Sequence, residues 1–159
     1  MKNHRYTAMK ENNRASCRSV YCLLVVICLS LLLLSQVSTA GVAVIISPDS
    51  DLKTLQRSQV KAIFLGKIKR LPNGDIAIPV NQGEKSGSFD AFNEKLLGKS
   101  SAKLLQFWAT RIFSGKGMPP KILKGDQAVI DFVKSVKGGI GYIDSGSVSA
   151  ETKVIYSAD

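Results

Sequence analysis

"AVIDFVKSVKGGIGYID", residues 128–144, decides the fold class. Val129, Ile130, Val133 and Val136 recur at the spacing of one helical face. Lys137, Gly138 and Gly139 stop that helix, and "IGYID" (140–144) reads as a strand. A helix that passes into a strand through one short glycine turn is the signature of layered α/β folds.

Working outward, the same alternation recurs. "GVAVIIS" (41–47) is a continuous apolar, β-branched run that ends at Pro48, as a strand buried on both faces should. Ser58 is placed to cap a short helix, "QVKAIFL", closed by Gly66. "LPNGD" (71–75) carries an Asn-Gly turn, and "IAIPV" (76–80) follows as a strand. Pro79 has no N–H to give to a ladder, so this strand is expected at a sheet edge or to end there. Phe89, Phe92, Leu96 and Leu97 then have helical spacing up to Gly98. Ser100 or Ser101 caps a stronger helix, "AKLLQFWATRIF", with Leu104, Leu105, Trp108 and Ile112 as its expected buried stripe. "SGKGMPPK" reads as loop, and "KVIYS" (153–157) as a last strand.

The first 40 residues belong to a different class. Lys2, Arg5, Lys10, Arg14 and Arg18 precede an apolar run over residues 20–34, and Ser38 and Ala40 are small residues at the positions a signal peptidase reads. The expectation is a signal peptide over 1–40, cleaved near Ala40, with a secreted, periplasmic domain over 41–159. The alternative is an uncleaved membrane anchor, although the apolar run is shorter than the roughly 20 residues that span a bilayer core.

Removing 1–40 limits the chemistry. Cys17, Cys22, Cys28 and His4 all lie in the leader, so residues 41–159 contain neither Cys nor His. No disulfide, Ser-His-Asp or Cys-His nucleophile, or ordinary zinc site can be built from them. No catalytic residue, metal site or cofactor is expected, and the chain is read as a binding protein, not an enzyme. Residues 41–159 carry 17 Lys and Arg against 11 Asp and Glu, a net charge of +6 spread along the chain. That balance suits an anionic ligand. No run interleaves basic and aromatic residues in the manner of nucleic-acid binders, so no nucleic-acid partner is expected.

"NQGEKSGSFDAF" (81–92) holds the candidate site. Ser86, Gly87 and Ser88 stand at the start of the Phe89–Phe92 helical pattern, where backbone N–H groups lack helical partners and the dipole is positive. Lys85 adds charge. Two readings are open on these residues: a serine that merely caps the helix, or a cradle for an anion.

Three segments, "VKAIFLGKIKRLPNGDIAIPVNQGEKSGSFDAF" (60–92), "FWATRIFSGKGMPPK" (107–121) and "AVIDFVKSVKGGIGYID" (128–144), together resemble the phosphate-binding, PstS-like substrate-binding proteins of ABC transporters. The resemblance implies α/β architecture: a single-lobe, periplasmic-binding-protein-like (type II) three-layer domain with a mixed sheet. Phosphate-binding members carry Arg-x-Asp-Gly-Ser-Gly-Thr and then a Phe. Here Ser86, Gly87 and Ser88 match the Ser-Gly-Thr cradle, Phe92 matches the Phe, Glu84 stands for the Asp and Gln82 for the Arg. A neutral amide thus replaces a permanent, bidentate cation. The resemblance also points to Ser47, in the loop after the first strand, as a ligand donor. The implied partners are phosphate or a similar oxyanion and an ABC transporter membrane component. Full-length members close two lobes around the ligand; 119 residues suffice for about one lobe, and a homodimer could supply the other. The alternative reading is a periplasmic interaction or sensory module that keeps the lobe without transport.

Overall fold

The computed structural model describes residues 41–158; the leader expected over 1–40 lies outside them. Five strands form one mixed sheet in the order β3-β2-β4-β1-β5. They are β1 (Val42–Ile46), β2 (Ile78–Gln82), β3 (Lys121–Leu123), β4 (Gly139–Asp144) and β5 (Lys153–Ala158). β4 runs parallel to β2 and antiparallel to β1, β5 is antiparallel to β1, and β3 is parallel to β2.

Helices cover both faces. α1 (Arg57–Phe64), α2 (Gly87–Ala91), a π-helical turn (Phe92–Leu97) and α3 (Ser101–Phe113) pack on one side. α4 (Gly125–Ser135) packs on the other. The alternation of β1 divides the core between the layers. Val42, Val44 and Ile46 join the first cluster, and Ala43 and Ile45 join the second. A strand buried on both faces has no position for a polar side chain, which is why its sequence is continuously apolar. Each of its large aliphatic side chains contributes about 1.5–3 kcal/mol by leaving water.

The α4–β4 passage folds as its sequence reads except at Val136, which lies past the end of α4 in extended backbone, φ −118° and ψ 114°. Val129, Ile130 and Val133 face the sheet. At Gly138 the backbone is left-handed, φ 77°, and a Cβ there would collide with the Ile76 carbonyl. At Gly141 a Cβ would overlap Val129 and touch Val80 Cγ2 at 3.0 Å, so its absence lets α4 lie close to the sheet. On the opposite face Tyr142 stacks on Phe92, centroids 3.9 Å apart, and Phe64 meets Phe92 edge-on at 4.6 Å. This aromatic trio ties α1 and the π-turn to β4.

Four local expectations need correction. Ser58 does not cap α1: Gln56 holds the N-cap position, and its N–H donates to Gln59 Oε1 at 2.8 Å. β2 is not an edge strand, because β3 continues the sheet beyond it. Pro79 is tolerated because the Ile78 N–H points to Gly138 on the β4 side, so Pro79 faces the other way, and pairing with β3 begins only at Val80. In α3, Leu104 and Trp108 are buried, but Leu105 is 68% and Ile112 43% exposed. That helix touches the core along one narrow line. Lys121, expected to end the loop over 114–121, instead starts β3, which has three residues and follows two prolines.

Candidate functional site

The site forms where β2 runs into α2. Gln82 is the last residue of β2 and only 1% exposed. Its neighbours on both sides define its role. Nε2 donates to Asp126 Oδ1 at 2.6 Å and to the Tyr142 carbonyl at 2.9 Å. Oε1 accepts the Ser86 hydroxyl at 2.7 Å. Both amide hydrogens and the amide oxygen are thus engaged within the protein, in the one orientation that meets two acceptors and one donor. Its backbone N–H donates to the Tyr142 phenol at 3.1 Å, and that phenol donates to Asn81 Oδ1. Burial pushes the Tyr142 phenol well above its ordinary pKa, so it stays protonated and able to donate.

Asp126, in the first turn of α4, is the other anchor. Besides Gln82 it accepts from the Ser147 hydroxyl at 2.5 Å and the Asp144 N–H at 3.3 Å. The network therefore joins the ends of β2 and β4 to the start of α4. Asn81, Asp126, Tyr142 and Ser147 were not read as site residues. They lie up to 66 positions from Asn81 in the chain, and only the parallel β2–β4 pairing brings them together. An acidic residue opening a helix is the one signal in the sequence that pointed to Asp126.

Ser86 occupies the N-cap position of α2 with extended backbone, φ −86° and ψ 130°, but makes no side-chain cap. Its hydroxyl hydrogen is drawn to Gln82 instead. Among the described residues the Ser86 side chain thus leaves the first-turn N–H groups of Gly87 and Ser88 uncapped, and these have no acceptor within the helix. Among the described residues a Cβ on Gly87 would meet nothing within 4 Å, so the described fold does not demand glycine there. Ser88 is buried; Glu84 and Lys85 are exposed on the turn that the Ser86 N–H closes onto the Gly83 carbonyl at 2.9 Å.

Of the residues expected at the site, Gln82, Glu84, Lys85, Ser86, Gly87 and Ser88 fall in this one segment. Ser47 does not join them. β1 is antiparallel to β4, with Ile46 opposite Ile140, while β2 is parallel, with Pro79 opposite Ile140. Ser47 therefore lies at the end of the sheet where β4 begins, and Gln82 at the end where β4 finishes. There Ser47 lines a different cavity of about 350 Å³ with Asp75, Lys137 and Gly138. Its hydroxyl accepts the Asp49 N–H at 3.4 Å in a local turn. Among the described residues no group of three His, Cys, Asp or Glu side chains converges as a metal site would require.

No family model and no curated protein matches the sequence. Solved structures do match the fold. One, from Clostridium perfringens, is described as a phosphate ABC transporter substrate-binding protein and has phosphate bound; its TM-score is 0.59 at 24% identity, over 75% of this chain and 46% of that one. An ABC-type phosphate transport receptor from Vibrio cholerae gives 0.57 at 20% identity, over 73% and 45%. PstS from Borrelia burgdorferi gives 0.53 at 17% identity, over 73% and 47%. This chain spans about half the length of each. Its sheet and flanking helices thus have the fold of phosphate ABC transporter substrate-binding proteins, over about half of such a molecule.

Proposed function

We propose that this chain is an exported, periplasmic, PstS-like lobe that binds phosphate or a similar oxyanion at Ser86, Gly87 and Ser88, in association with ABC-type phosphate transport. The carrying observation is the bond from the Ser86 hydroxyl to Gln82, which leaves the first turn of α2 uncapped. Capping was the bland reading of this serine. Without it, the N–H groups of Gly87 and Ser88 are open to an anion. Gly87 leaves space for the ligand to approach the backbone, and Lys85 adds charge from the rim.

Gln82 has a different role from the arginine it replaces. Its side chain is fully engaged inside the protein, so it orients Ser86 and does not touch the ligand. Ser86 Oγ, with its hydrogen committed, offers lone pairs. Those suit an oxyanion that carries its own O–H, as hydrogen phosphate does and sulfate at neutral pH does not. Binding needs no chemistry: fixed amide dipoles replace the anion's hydration shell. One lobe leaves the ligand facing water, which weakens each contact.

Phosphate should raise the melting temperature of the purified protein, since a ligand selective for the folded state contributes about 2.7 kcal/mol at a hundred times its Kd. Sulfate should do so less. Equal melting with and without millimolar phosphate would overturn the reading.

The engagement of Gln82 also favours a second reading, a periplasmic interaction or sensory module that retains the lobe without transport. Envelope partners would then be held equally by the native protein and by Ser86→Ala/Ser88→Ala. Loss of partners in that variant would exclude it.

A further inference from the structure

Away from the cradle, α3 and the segments at its two ends form a groove of about 590 Å³. Lys99, Lys103, Arg111 and Lys116 line it together with Phe107, and among the described residues no acidic one does. The two salt bridges among the described residues, Lys134–Glu151 and Lys137–Asp75, lie elsewhere. The sequence shows no such cluster as a run, because Lys103, Phe107 and Arg111 are four residues apart and share a face only once helical.

The floor is rigid. Arg111 Nη2 donates to the Lys116 carbonyl at 2.7 Å and to the Gly66 carbonyl at 3.3 Å. Its guanidinium lies 5.6 Å from the Phe107 centroid and 5.8 Å from the Trp108 ring. Lys99 Nζ lies 5.4 Å from the same Phe107 ring. Arg111 is therefore held in place before any partner arrives, which lowers the ordering cost of binding.

We infer that this groove docks an acidic segment of a partner protein, through carboxylates on Lys99, Lys103 and Lys116 with Arg111 fixed between them. Three features select that occupant. From Lys103 to Arg111 the helix rises about 12 Å, too far for one small anion to bridge, whereas an extended peptide covers it in about four residues. Lys103, Phe107 and Arg111 lie in one line along α3, a track that an extended strand can follow along its whole length. Phe107 already holds two cations, so it is not free to stack a nucleic-acid base. This site is independent of the Ser86 cradle and does not rest on phosphate binding.

The test uses the purified full chain and a labelled peptide of alternating glutamate and serine, about twelve residues long, read by fluorescence anisotropy. The peptide should bind, with affinity falling as salt rises from about 0.05 to 0.5 M. Lys103→Glu/Lys116→Glu should weaken it by about tenfold or more, since each reversal replaces an attraction with a repulsion. Ser86→Ala/Ser88→Ala should bind it unchanged. Lys99→Gln/Lys103→Gln, milder in charge, should weaken binding in proportion and guards against misfolding of the reversal variant, which circular dichroism would reveal. No binding, unchanged binding by both folded lysine variants, or tighter binding to phosphatidylglycerol vesicles or to a single-stranded oligonucleotide would overturn the inference.

Discussion

The Ser86 hydroxyl donates to Gln82 Oε1 at 2.7 Å, so one side chain at the end of β2 decides what the start of α2 presents to solvent. Gln82 is buried and makes two further bonds, to Asp126 and to the Tyr142 carbonyl. Gln82→Ala should therefore destabilise the protein by about 2–4 kcal/mol, through a small cavity and buried acceptors left without donors. Urea denaturation measures it. A loss within about 0.5 kcal/mol, the range of an ordinary surface substitution, would mean the network is slack.

Two glycines should behave oppositely. Gly141→Ala forces a methyl against Val129 and Val80 and should cost about 1–3 kcal/mol by overpacking. Gly87→Ala meets open space and should leave stability unchanged or raise it by up to about 1 kcal/mol. On the proposed reading it should nonetheless weaken phosphate binding, because the new methyl would stand where the anion is proposed to approach. Melting curves with and without phosphate separate the two effects.

Tyr142 gives the fold an alkaline limit. Burial raises its folded pKa above the unfolded value of about 10. The folded state thus holds the proton more tightly, so this contribution is fully present below about pH 10 and is lost as pH rises above it. Tyr142→Phe removes the bonds to Asn81 and the Gln82 N–H and should cost about 1–3 kcal/mol at pH 7. It should also flatten the decline of stability above pH 10, which denaturation at several pH values would detect.

Asn93, in the π-turn, is 1% exposed, and among the described residues neither polar atom of its side chain has a partner. Such a group pays its desolvation cost without return, so Asn93→Leu, of similar shape, should stabilise by about 1–3 kcal/mol. Destabilisation would reveal a partner, such as a buried water, that the amide needs.

Periodicity made the layers legible. β1, β4, α3 and α4 each carry enough apolar residues at one spacing to declare their type, and Gly66, Gly98 and Gly138 end helices as glycines in left-handed backbone do. β3 was not legible, since three residues, two of them exposed, have no period to read. Nor was the exposure of Leu105 and Ile112, which depends on how little of α3 the sheet covers. At the site, the serine–glycine–serine start of α2 was readable locally. The commitment of Gln82 was not, because it depends on Asp126 and Tyr142, which are 44 and 60 positions away. Ser47 was misplaced for the same reason: strand direction is a property of the sheet, not of the loop.

The most direct test of the anion cradle is calorimetric titration of the purified protein with phosphate, beside Ser86→Ala/Ser88→Ala. A saturable phosphate heat in the native protein that the double variant abolishes or weakens by about tenfold, at unchanged fold, is the predicted result. No heat in the native protein, or the same isotherm in both, would contradict it.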